Sequence, residues 1–91
     1  MKKTQQKQEE KVLRIARYKS VFLQPTGFVA RNGKSAYISP DFHEKLSRIV
    51  LLIGEGKITL ADYLHSVLKN HFEDFGTEIK MIYARKQKPI L

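Results

Sequence analysis

The run from Lys34 to Gly54 constrains this chain more than any other stretch. Ser35-Ala36-Tyr37-Ile38 alternates small or polar with apolar residues, the period of a short strand. Ser39 follows, and its hydroxyl can accept from the orphan backbone N–H groups of a first helical turn. Pro40 suits the first helical position, where its missing N–H costs nothing. A helix is therefore expected from Pro40 to Ile53, with Phe42, Leu46, Ile49 and Ile53 on one buried stripe. Val50, Leu51 and Leu52 widen that stripe until the second half is apolar nearly all round. Such a helix needs more than one neighbour, and in a chain of 91 residues a second copy is the economical source of cover.

Charge is unevenly distributed. The formal net charge is +8, yet residues 36–79 hold four Lys/Arg and seven Asp/Glu. The excess lies in residues 1–35, with nine Lys/Arg against two Asp/Glu, and in residues 80–91, with four against none. Basic ends around a mildly acidic middle suit a polyanion partner, most often nucleic acid. The competing reading is a solubilising tail. The reading divides the chain into a flexible basic arm at 1–19, a domain at 20–79 and a basic tail at 80–91. The arm has little apolar content, and only residues 8–18 suit a helix. The C-terminal Lys80, Arg85, Lys86 and Lys88 form an auxiliary arm.

The remaining landmarks are turns and a second helix. Pro25-Thr26-Gly27 is turn chemistry, and Asn32-Gly33 can join two strands of a hairpin, pairing Phe28-Val29-Ala30 with Ser35 to Ile38. Gly54-Glu55-Gly56 ends the first helix. Thr59-Leu60-Ala61-Asp62 reads as a capping box for a second helix, expected to run to Phe75 and stop at Gly76. There is no cysteine, so neither a disulfide framework nor a thiolate metal site is available. His43, His65 and His71 lack metal-ligand spacing, and there is no phosphate loop or nucleophile elbow. The expectation is a cytoplasmic binding protein with no catalytic role, no cofactor and no membrane span.

Strand, helix, tight turn, helix is the order of a ribbon-helix-helix domain, an α+β and mainly helical fold. There, two chains pair their strands into a ribbon that enters the DNA major groove. On that reading Ala36 and Ile38 point into the helices, while Ser35 and Tyr37 face bases. Arg31, Lys34 and Lys57 contact phosphates, and Thr59 at the second helix start holds another. Whether the strand pairs between chains or folds back through Asn32-Gly33 is open at this level.

The chain also resembles a family of small basic proteins carried by conjugative transposons of the Bacteroidetes and known as conjugal transfer proteins of unknown function. The likeness rests on Phe22-Leu23-Gln24-Pro25, on Asn32-Gly33-Lys34 leading to Tyr37-Ile38-Ser39-Pro40, and on His43-Glu44-Lys45-Leu46. It continues through Arg48-Ile49-Val50, Tyr63-Leu64-His65-Ser66-Val67-Leu68 and His71-Phe72-Glu73. It implies a role on DNA in element transfer, excision, maintenance or their regulation. The expected partners are double-stranded DNA and a second copy of the chain. A protein-interaction adaptor that recruits a transfer ATPase or relaxase is the alternative.

Overall fold

The computed structural model describes residues 2–87, with side chains from Gln6 onward. Lys88 of the basic tail lies outside them. Among the described residues there are three helices and no strand. Helix α1 spans Lys2–Phe22, α2 spans Pro40–Arg48 and continues as a π-helical turn over Ile49–Ile53, and α3 spans Leu60–Lys86.

This corrects the ribbon-helix-helix expectation. Among the described residues the segment from Lys34 to Ser39 forms no strand, and Tyr37 is fully exposed. An alternating sequence becomes a strand only when another backbone takes up its N–H and C=O groups. The Asn32-Gly33 hairpin is absent as well. Ala30–Asn32 form a 3-10 turn, in which Asn32 N–H donates to the Val29 carbonyl at 2.9 Å and Gly33 N–H to that of Ala30 at 3.0 Å.

Two helices run further than the residue pattern predicts. Lys, Gln, Glu, Arg and Leu are good helix formers, and they carry α1 from Lys2 to Phe22, ahead of Pro25. Val21 and Phe22 are therefore the last residues of that helix. Helix α3 passes straight through Gly76 and continues for ten more residues to Lys86. A mid-helix glycine costs only about 1 kcal/mol relative to alanine.

The starts of α2 and α3 match the expected chemistry. Ser39 Oγ accepts from Phe42 N–H at 3.4 Å, with Pro40 at the head of α2. Thr59 Oγ1 accepts from Asp62 N–H, and the Asp62 carboxylate accepts from Thr59 N–H, both at 3.0 Å, which completes the capping box. Between the two helices the π turn closes with Gly54 N–H donating to the Ile49 carbonyl at 2.9 Å. Glu55 and Gly56 then turn the chain with φ of 56° and 70°.

The helices meet over a small area. Among the described residues only Ile58 and Tyr63 are buried hydrophobics, joined by buried Asp62 and Ser66. Tyr18 and Phe22 of α1 lie against Tyr63 of α3, with ring centroids of Phe22 and Tyr63 6.0 Å apart and the two tyrosine hydroxyls 2.7 Å apart. Phe42 and Ile53, expected in the core, are 62% and 50% exposed, while Leu46 and Ile49 are half-buried. A compact domain of this length has a radius of gyration of about 12 Å. The value here is 18.1 Å, with extents of 64 × 38 × 26 Å. No helix of the described residues is long and apolar enough to cross a membrane.

Candidate nucleic-acid interface

The basic surface is built on α1. Lys7, Lys11 and Arg14 follow one another at spacings of four and three, so they share a helix face, and Tyr18 continues the line. All three cations are exposed, as is Arg17 beside them. None of the four forms an ion pair among the described residues, although Glu10 is one turn from Arg14. The stripe from Lys7 to Arg14 covers about 10 Å of helix. It ends in a groove between α1 and α3, where Arg14 and Arg17 stand across from Asn70. Tyr18 and Phe22 fix this face by anchoring the C-terminal end of α1 to Tyr63. Burial, then the hydrogen bond with Tyr18, pushes the Tyr63 phenol well above its usual range. The anchor is therefore neutral at any physiological pH.

The residues expected from the sequence to meet DNA fall into two groups. Arg31 lies in the exposed 3-10 turn, and Lys34, Ser35 and Tyr37 lie in the exposed segment that leads to α2. These four are near one another in the chain and open to solvent. Lys57 and Thr59 sit elsewhere, at the turn before α3. The Lys57 ammonium is 3.3 Å from the Glu55 carboxylate, so a local negative charge already accompanies it.

At the N-terminus of α3 the Asp62 carboxylate occupies the place proposed for phosphate. One oxygen accepts from Thr59 N–H, and the other accepts from Thr26 N–H at 3.0 Å and Thr26 Oγ1 at 2.7 Å. The Thr59 N–H holds this carboxyl down to about 2, with further help from Thr26 and against the opposing effect of burial. A fixed anion at this helix end repels a second one. The capping box was legible in the sequence; the reach of Asp62 to Thr26, 36 residues away, was not.

The α1 face was underweighted by sequence reasoning, which treated residues 1–19 as a flexible arm. The spacing of Lys7, Lys11 and Arg14 is the sign that would have revealed it. Among the described residues no cluster of His, Asp and Glu is placed to hold a metal ion. His65 stacks on Phe28 with centroids 5.7 Å apart, and His71 lies against Phe72 and Phe75.

No curated protein and no solved structure matches the chain. A family profile matches residues 1–86, which includes the whole of α1, and the chain belongs to that family, described as protein of unknown function (DUF3408).

Proposed function

We propose that this chain is a DNA-binding protein of a mobile genetic element, working as a homodimer in conjugative transfer, excision, maintenance or their regulation. The observation that carries the DNA reading is the α1 face, where Lys7, Lys11, Arg14 and Arg17 are exposed and, among the described residues, form no ion pairs. Such a face attracts phosphates and releases their counterions, which gives affinity that falls steeply with salt. Arg31 and Lys34 add phosphate contacts from the exposed segment, and Tyr37, free on all sides, is available to a base or a sugar. Lys57 and Thr59 contribute less, because Glu55 and Asp62 stand beside them. The mobile-element context is supported by the likeness to conjugal transfer proteins.

Fluorescence anisotropy with a labelled duplex tests this reading. Binding is expected at about 50 mM salt and a loss of orders of magnitude in affinity by about 200 mM. Replacing Lys7, Lys11 and Arg14 together with glutamine should weaken all duplexes alike and flatten the salt slope by up to about three. Absence of binding at the lower salt would remove the proposal. A protein-interaction adaptor that recruits a transfer ATPase or relaxase is the second reading, favoured by the exposed apolar side chains Leu51 and Leu52 on the π turn. Its mark is a protein partner that survives nuclease treatment, together with no duplex binding.

A further inference from the structure

Every residue from Leu68 to Gln87 is exposed, apart from half-buried Gly76. Beyond Asn70, which faces α1 across a groove, these turns of α3 are largely open to solvent. They are not polar. Leu68, Phe72, Phe75, Ile79 and Ile82 are 55%, 57%, 49%, 38% and 58% exposed. Their spacings of four, three, four and three form a single seam along the helix. At about 100° per residue this seam lies roughly opposite the face carrying Tyr63, Ser66 and Asn70, which packs toward α1. The cover for the seam is therefore not α1.

We propose that the seam pairs with the same seam of a second copy, antiparallel, about a two-fold axis between Glu73 and Asp74. This deepens the homodimer of the preceding reading and rests on it, while the α1 face is independent of it. Three observations single out a second copy as the occupant and fix the orientation.

The first is the order of the side chains. Leu68, Phe72, Phe75 and Ile79 read aliphatic, aromatic, aromatic, aliphatic, with spacings of four, three and four. That order is the same in both directions, as an isologous contact requires. Phe72 of each copy then meets Phe75 of the other, and Leu68 meets Ile79. Gly76 flanks the seam with open space where a Cβ would stand, which leaves room for the rings.

The second is charge. Lys80, Arg85 and Lys86 crowd the end of α3. Parallel pairing would bring two such ends together. Antiparallel pairing about residue 73.5 parts each from its mate by about 20 to 38 Å, well over a Debye length, and sets the helix dipoles antiparallel. It also brings Glu78 of each copy beside His71 of the other on the same flank of the seam.

The third is area. The five side chains offer on the order of 500 Å² per copy, or about 1,000 Å² in total, which reaches the threshold of a specific interface. Among the described residues only Ile58 and Tyr63 are buried hydrophobics, so a second copy of the same seam would supply apolar burial that the single chain lacks.

The absence of native cysteine makes the orientation testable in the full-length protein. Chains carrying Leu68→Cys are mixed with chains carrying Ile79→Cys and oxidised. The expected product is the mixed disulfide, in clear excess over either homodisulfide, and sedimentation of the native chain should show a dimer that Phe75→Glu dissociates. Homodisulfides of the Ile79→Cys chain in excess would overturn the orientation. A folded monomer at all concentrations, judged by helical circular dichroism, would overturn the interface. DNA binding by such a monomer would leave the α1 reading standing, whereas a dimer that binds no duplex would leave this one standing.

Discussion

Asp62 is the most heavily used side chain in the molecule. It closes the α3 capping box and ties the 24–28 segment down through Thr26, so one carboxylate joins two regions that the sequence separates. Its pKa is lowered from 3.8 to about 2, so it stabilises the fold fully above about pH 4, and that contribution fades as pH falls through 2. Asp62→Asn should cost about 2 kcal/mol in urea unfolding at neutral pH, with the gap from the parent closing between pH 4 and pH 2. Gly54 is constrained differently. Its φ is an ordinary −77°, but a Cβ there would sit 2.6 Å from the Val50 carbonyl and 2.9 Å from Ile58 Cγ1. Gly54→Ala should therefore destabilise by about 1–3 kcal/mol in the same measurement, through crowding of the turn that leads to α3.

At the scale of elements, α1 holds like charges together. Lys7, Lys11 and Arg14 stand one turn apart, and such pairs cost an isolated helix about 0.2–0.5 kcal/mol each. A bound polyanion removes that repulsion. Far-UV circular dichroism should show helicity rising when duplex DNA is added at low salt, and the rise should be absent when the three cations are replaced by glutamine. What the sequence revealed of the elements follows from how local each cause is. Ser39, Pro40, Thr59 and Asp62 act within one turn of a helix, and their roles were readable from neighbouring residues alone. The segment from Ser35 to Ile38 was misread as a strand because its alternation says nothing about whether a partner backbone exists. Gly76 was misread as a stop because a glycine in mid-helix is a small cost beside the continuing pattern of Ile79 and Ile82. The α1 face was missed because Lys, Gln and Glu suit both a disordered arm and a solvent-bathed helix.

At the scale of the molecule, the chain is long, thin and sparsely cored, with extents of 64 × 38 × 26 Å and, among the described residues, two buried hydrophobic side chains. Folding coupled to pairing makes the melting temperature depend on concentration. Thermal unfolding followed by circular dichroism should shift upward as protein concentration is raised tenfold, and the Phe75→Glu chain should lack the shift. Were the chain to pair as proposed, the small core would act as a gauge of supply. Newly made chains at low copy number would be open to proteases, whereas a burst of synthesis would carry them past the point at which they shelter one another. The level of this protein in a cell would respond to its own expression more sharply than in proportion, without any dedicated regulator.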